Sequence, residues 1–343
     1  MRRFKPIIKN FDEILDDQEQ VIFDRKEQNE PKSVKLNGLL ENNKHSLSTK
    51  IGGSTQKRFF LCKTKSLKEL IGELNNENCS YITCINEEIK NSLKCGEELP
   101  TSIPVLIKMV DILNNYYVEE YCSKLANLFN VKTVYNKNFS NNGSHYSLSV
   151  DFIDKNSQFK TFDDLDCNKM SLYETTFSDV VGLLKKNNLK FNKKELKKDF
   201  VNQFIFRVFV ICDGDFYSYN SGFLIDIETK MTRLAPCFDM EASMIGRGLL
   251  KNPFEVSNKD EIVLNLYLEN KEEVANFAKK SKYIIDNNLL SEEIFNRVRV
   301  NKYDNLKISK EDFLKNIKQN VVNFLQIYNK IVLNQEKSAE NIK

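Results

Sequence analysis

The strongest hydrophobic signal in the chain is a block that ends at Ile211 and is apolar on almost every face. It contains Phe200, Val201, Phe204, Ile205, Phe206, Val208, Phe209, Val210 and Ile211. A block of this length exceeds an ordinary strand, so the pattern predicts a buried helix. Its β-branched and aromatic residues keep a buried strand open as the alternative.

A polar loop and a hairpin follow the apolar block. The loop carries Asp215 and Asn220, Gly222 to Ile227 is typical of a strand, and Met231 to Leu234 of its return strand. A second acidic position, Asp239, comes just after the hairpin. Because both ends of a hairpin lie together, we expect these three oxygen-bearing side chains to converge.

Such a convergence suits phosphoryl transfer from a nucleotide. The protein must hold Mg²⁺ against the phosphates and orient the attacking hydroxyl. Asn220 and Asp239 fit as oxygen ligands of Mg²⁺, and Asp215 fits as the group that accepts the hydroxyl proton. The Asp-x4-Asn spacing is that of the protein-kinase catalytic loop. The alternative is a pair of polar turns beside a buried helix and a hairpin.

The run from Phe206 to Ser243 resembles the HipA-like serine/threonine kinases, including the CtkA type. That family has a buried helix, a loop Asn-x-Asp-x-His-x-x-Asn, a hairpin and Ala-Pro-x-Tyr/Phe-Asp. The resemblance implies that Asp215 is catalytic and that Asn220 and Asp239 bind metal. This chain departs from the pattern at Tyr217, where the family has His, and no Arg lies beside Asp215.

The resemblance also implies nucleotide contacts in the first part of the chain. Lys63 ends the apolar run 59–62 and takes the place of the strand-borne lysine, with Lys65 as the fallback. Glu120, near the start of an amphipathic helix, is implied to orient that lysine, and Glu119 takes the role if the register slips.

The phosphate-covering loop and the adenine-binding segment have the next candidate residues. Gly52 and Gly53 form either a phosphate-covering loop or a plain hairpin turn, and Gly38 with residues 41–44 is the other candidate loop. Asp151 follows an alternating strand and marks the segment where kinase folds bind adenine with their backbone.

Composition excludes several other classes. The 343 residues carry a net charge of +3, so no nucleic-acid footprint is evident and no direct nucleic-acid binding is expected. No apolar run is long enough to span a membrane, and the N-terminus does not resemble a secretory signal. The eight cysteines therefore indicate free thiols in the cytoplasm. His45 and His145 are the only histidines and lie in polar settings, which disfavours triad hydrolases.

These observations predict an α+β, two-lobed protein-kinase-like fold with a β-rich N-lobe and a mainly helical C-lobe. The predicted segments are an N-terminal extension 1–35, an N-lobe 36–155 with a helical insertion around 66–115, a C-lobe 156–335, and a disordered tail 336–343.

The predicted activity is transfer of the γ-phosphoryl group of ATP, with Mg²⁺, to a protein serine or threonine. A pseudokinase or nucleotide-binding regulatory protein is the alternative, and a small-molecule phosphotransferase is a third reading. The family also suggests a small antitoxin-like partner, although nothing in this chain identifies one.

Overall fold

The computed structural model describes residues 21–23, 33–35, 57–63, 102–110, 118–141, 144–153, 156–166, 172–240, 243, 258–291 and 310–340. Contacts along the chain divide it into two compact units. One, called the β unit, comprises Met1–Ile112 and Tyr135–Asp151; the other, called the helical unit, comprises Leu113–Val134 and Phe152–Lys343.

The β unit contains six described strands in two sheets. They are β1 (Val21–Phe23), β2 (Ser33–Lys35), β3 (Lys57–Lys63), β4 (Ser102–Val110), β5 (Asn136–Asn141) and β6 (Ser144–Val150). β1 and β2 pair with each other, and the larger sheet is antiparallel in the order β3-β4-β6-β5. The predicted strand ending at Lys63 and the predicted alternating strand before Asp151 are confirmed as β3 and β6.

The prediction of helices across 66–115 is wrong for β4. Ser102–Val110 is a strand that pairs with β3 on one side and β6 on the other. Its sequence, SIPVLIKMV, is rich in β-branched residues, and Val105 and Ile107 are buried. Burial on a pleated surface favours such residues in strands, and it outweighs the missing N–H of Pro104. Residues 66–101 lie outside the described part of the chain.

The helical unit contains a four-stranded sheet and seven described α-helices. In chain order the elements are α1 (Val118–Leu128), β7 (Ser157–Thr161), α2 (Phe162–Asp166), a 3₁₀ turn (Leu172–Glu174), α3 (Phe177–Lys186), β8 (Lys190–Phe191), α4 (Lys193–Ile205), a π-helical turn (Phe206–Val210), β9 (Gly222–Asp226), β10 (Met231–Leu234), α5 (Lys259–Glu269), α6 (Lys271–Asp286) and α7 (Lys310–Glu340). The sheet order is β7-β9-β10-β8, with only the β10–β8 pair parallel.

The apolar block lies at the centre of the helical unit. Its first half is the end of α4, and its second half is the π-helical turn Phe206–Val210, so the predicted buried helix is confirmed and the strand alternative is wrong. Nearly every side chain of the block is buried because α6 and α7 also pack against this segment. The π-helical turn carries Arg207 into the same interior.

The predicted hairpin is confirmed as β9 and β10, and it begins with a close approach of two backbones. A Cβ atom on Gly222 would lie 2.8 Å from the Phe159 ring and 2.9 Å from Thr161 Cα, and closer still to the Lys160 carbonyl oxygen. Only a residue without a side chain therefore fits where β9 meets β7. This contact anchors the end of the polar loop that precedes the hairpin.

The architecture is mixed, with a β-rich unit and a mainly helical unit, as the sequence predicts. The described helices include none with the length and apolar character that crossing a membrane requires. Three free cysteines, Cys122, Cys212 and Cys237, lie buried in the described part of the helical unit.

Candidate functional site

The loop between the π-helical turn and β9 brings Asp215 and Asn220 into direct contact. The Asn220 side-chain amide donates to Asp215 Oδ2 at 2.8 Å and to the Asp215 carbonyl at 3.1 Å. Asn220 is buried and Asp215 is half-buried. Since the Asn220 nitrogen is committed to Asp215, its Oδ1 oxygen is the atom that can take a cation.

Two tyrosines of the same loop form a stacked pair beside Asp215. The rings of Tyr217 and Tyr219 lie 5.5 Å apart and within 10° of parallel. The Tyr219 hydroxyl donates to Asp215 Oδ1 at 2.6 Å. Burial, together with this hydrogen bond and the Asp215 charge, raises the pKa of Tyr219, which keeps the hydroxyl protonated as a donor.

A buried arginine joins the two ends of this loop. Arg207 Nε donates to Asp213 Oδ2 at 2.6 Å, while Nη1 donates to the Asn220 carbonyl at 2.8 Å and to Ser221 Oγ at 3.2 Å. Burial opposes the charge of Arg207, but the Asp213 carboxylate together with Cys237 and Asp239 outweighs it, and the pKa of Arg207 is raised. Asp213 Oδ1 in turn accepts from the backbone N–H of Asp215 at 3.1 Å.

Contacts from neighbouring segments hold the loop from outside. The Tyr173 hydroxyl donates to the Asp213 carbonyl, and the Ser218 hydroxyl donates to the Asp163 carboxylate at the start of α2. The Phe162 N–H donates to the carbonyls of Ser218 and Ser221 at 3.0 and 3.1 Å. The loop is therefore ordered by side chains from α2, the 3₁₀ turn and the π-helical turn.

Asp239 lies just beyond β10, as the sequence predicts. An isolated bridge between Cys237 and Thr133 precedes it, and the Cys237 N–H donates to the Lys132 carbonyl at 2.9 Å. Asp239 has a φ of 54°, in the left-handed region that non-glycine residues rarely adopt. The pKa of Tyr219 is raised first by burial, then by Asp215 and Tyr217, and last by the charge of Asp239. Asp239 therefore acts electrostatically on the loop that carries Tyr219.

The donor set of this region suits a hard cation. It consists of two carboxylates, Asp215 and Asp239, and the amide oxygen of Asn220, and Mg²⁺ takes one or two such oxygens together with water and phosphate. The described residues contain no group of three or more His, Cys, Asp or Glu side chains that could hold a metal by themselves.

The other predicted site residues that the structure describes are divided between the two units. Glu120 is buried in α1, where Lys124 lies 3.4 Å away, and Glu119 is buried too. Lys63 is the last residue of β3, and Asp151 directly follows β6, both in the β unit. Gly52, Gly53 and Lys65 lie outside the described residues, so the choice of phosphate-covering loop stays a prediction.

A second strand lysine was missed in the sequence analysis. Lys108 lies on β4 and is only 4% exposed, the one buried lysine among the described side chains. It ends the run Val105-Leu106-Ile107-Lys108, which matches the Val-Ala-Ile-Lys pattern of the phosphate-binding strand in kinases and shortly precedes the helix with Glu119 and Glu120. That signal was available, but the prediction of a helical insertion concealed it.

Comparison with known proteins gives structural rather than sequence similarity. No family model matches the chain, and no curated protein matches its sequence. The proinflammatory kinase CtkA of Helicobacter pylori is similar with a TM-score of 0.44 and 14% identity, over 68% of this chain and 92% of that one.

HipA of Shewanella oneidensis, solved in a complex with HipB and its operator DNA, has a TM-score of 0.46 and 10% identity. That match covers 66% of this chain and 58% of the HipA chain, so it spans little more than half of HipA. Both TM-scores are below 0.5, so no residue role is transferred from these structures. The solved structures similar to this chain thus include CtkA and HipA, the two types that its sequence resembles.

Proposed function

We propose that this protein is an ATP-dependent serine/threonine protein kinase. The observation that carries the proposal is the contact between Asp215 and Asn220, held 2.8 Å apart on a loop that is ordered from three sides. In kinase-type phosphoryl transfer the catalytic Asp and a metal-binding Asn are separated by four residues, and a second metal-binding Asp follows later in the chain. Asp215, Asn220 and Asp239 have this arrangement.

The proposed reaction assigns the proton step to Asp215. The oxygen of a serine or threonine hydroxyl forms a bond to the γ-phosphorus while the bond from that phosphorus to the β–γ bridging oxygen breaks, and ADP leaves. The hydroxyl proton passes to the Asp215 carboxylate, which Asn220 and Tyr219 hold in place.

Asn220 Oδ1 and the Asp239 carboxylate would hold Mg²⁺ in this scheme. When bound, the ion neutralises charge on the β- and γ-phosphates. The backbone strain at Asp239 is consistent with a functional position, because such strain persists where the surroundings require it and occurs often at active sites.

The phosphate-binding lysine is proposed to be Lys108, with Lys63 as the alternative from the sequence. Lys108 is favoured because it is buried on a strand of the β unit with the expected Val-x-Ile-Lys pattern. Glu120, predicted to orient Lys63, stays a proposal, as do Asp151, Gly52 and Gly53 for the nucleotide-binding segments.

A second candidate function is a pseudokinase, which binds nucleotide without transferring phosphate. The specific observation in its favour is Tyr217, which stands where the related kinases carry histidine. An antitoxin-like protein partner stays part of either proposal, since the similar HipA structure contains HipB.

Incubation with γ-labelled ATP and Mg²⁺ tests the proposal. Wild type should incorporate label into protein, and Asp239→Ala and Asn220→Ala should abolish incorporation. Glu228→Gln, in the exposed turn of the same hairpin, is the matched control and should behave as wild type. Nucleotide binding without incorporation would support the pseudokinase, and label found only on free metabolites would contradict a protein acceptor.

A further inference from the structure

The Asp215 carboxylate is held at both of its oxygens by residues of its own loop. Asn220 donates to Oδ2 at 2.8 Å, and the Tyr219 hydroxyl donates to Oδ1 at 2.6 Å. Two donors on opposite oxygens fix the plane of a carboxylate, which otherwise rotates about its last torsion. An ionised carboxylate has about four lone-pair sites, so two remain after these bonds.

The position of Tyr219 is itself determined by Tyr217. The two rings are stacked at 5.5 Å and within 10° of parallel, although the Tyr219 side chain is 41% exposed. An exposed tyrosine would otherwise sample several rotamers. The Tyr217 ring therefore restricts Tyr219 to the orientation in which its hydroxyl reaches Asp215.

We propose that Tyr219 is a positioning residue for the proposed phosphoryl transfer, with its hydroxyl orienting the Asp215 carboxylate and the Tyr217 ring fixing Tyr219. This inference rests on the proposed function and deepens it. It assigns a role to the departure at Tyr217: the aromatic residue in the place of histidine supports a donor two residues further on. Tyr219 acts through Asp215 and does not itself touch the reacting atoms.

The test compares Tyr219→Phe with Tyr283→Phe under steady-state transfer with Mg-ATP and a protein acceptor. Tyr219→Phe removes only the hydroxyl that bonds Asp215, and a hydrogen bond to a charged group corresponds to a loss of about 10-fold or more in kcat. KM for ATP and the melting temperature should stay at the wild-type values. Tyr283→Phe, which removes the hydroxyl of an exposed tyrosine on α6, is the matched control and should retain wild-type kcat.

The outcomes separate this inference from the proposed function. A wild-type or increased kcat in Tyr219→Phe, with transfer intact, overturns the positioning role alone. An equal loss of kcat in Tyr283→Phe also overturns it, because the loss would then not be specific to the hydroxyl that bonds Asp215. Absence of transfer by the wild type overturns the proposed function and the positioning role with it.

Discussion

Arg207 contacts the Asp213 carboxylate through two nitrogens, at 2.6 Å from Nε and 2.5 Å from Nη2, and both side chains are fully buried. The same guanidinium lies 4.7 Å from the centre of the Phe216 ring and donates to the Asn220 carbonyl. One cation therefore connects the start, the middle and the end of the loop that carries Asp215.

Replacing Arg207 with Met should destabilise the protein strongly. The substitution leaves the Asp213 carboxylate buried without its cation, and breaking a buried ion pair from one side costs about 3–5 kcal/mol. Urea unfolding measures the loss. Lys282→Met, which breaks an exposed pair with Asp286, is the control and should cost less than about 1 kcal/mol. An Arg207→Met variant as stable as this control would show that the buried pair does not hold the loop.

Gly222→Ala should also destabilise the protein, by about 1–3 kcal/mol, because the added methyl group meets the backbone of β7. Gly182 in α3 offers a matched comparison, since a Cβ there would meet no atom within 4 Å. Gly182→Ala should stabilise by about 0.5–1 kcal/mol through helix propensity. Thermal unfolding of both variants checks the prediction, and equal shifts in the two would contradict the close approach at Gly222.

The segment around the candidate site was predictable because local patterns determine it. The length of the apolar block favoured a buried helix over a strand, and the turn residues between the two apolar runs indicated the pairing of the hairpin. The contact of Asp215 with Asn220 follows from a short loop that returns on itself, as the Asn220 N–H bond to the Tyr217 carbonyl shows.

The Arg207–Asp213 pair was not predictable in this way. Arg207 lies inside an apolar run, where periodicity alone gives no sign of an ion pair, and the π-helical turn sets the backbone that brings it to Asp213. A backbone bond from the Asp213 N–H to the Arg207 carbonyl at 2.8 Å completes that geometry. The role of Tyr219 was missed for a similar reason, since a tyrosine in a polar loop carries no periodic signal.

The prediction failed at β4 because Pro100 and Pro104 indicated interruption of a helix rather than a strand. The pairing of β4 with β3 and β6 involves residues distant in sequence, which a local pattern does not encode. The same error hid Lys108, since a lysine is recognised as phosphate-binding only once its strand is recognised.

Substitution at the two strand lysines distinguishes the proposed roles. Lys108→Met should reduce phosphoryl transfer by at least about 100-fold, because the phosphate charge in the transition state would lose its cation. Lys63→Met should retain most activity. Transfer rates at saturating ATP, measured for both variants with circular dichroism as a check on folding, decide between them. The reverse order of effects would restore Lys63 as the phosphate-binding lysine.

The folded state should lose stability as the pH rises above about 10. In that range the tyrosines with a raised pKa keep their protons in the folded protein, whereas the same tyrosines in the unfolded chain have lost them. The pKa of Tyr173 is raised first by burial and second by the charge of Asp213. The stability that Tyr173 contributes is therefore complete at pH values below its pKa in the unfolded chain, and it declines at higher pH. A Tyr173→Phe variant should show a shallower decline, by up to about 1.4 kcal/mol per pH unit. Urea unfolding at several alkaline pH values tests this, and parallel declines in the two proteins would contradict it.

The most direct test of the proposed kinase activity is a comparison of wild type and Asp215→Asn in both Mg-ATP binding and phosphoryl transfer. Asparagine keeps the size of the side chain but cannot accept the hydroxyl proton as a carboxylate does. We predict similar binding by calorimetry and a fall in single-turnover transfer of about 10²–10⁴-fold, the usual contribution of general base catalysis. Transfer by Asp215→Asn at the wild-type rate would contradict the assignment of Asp215 as the catalytic base.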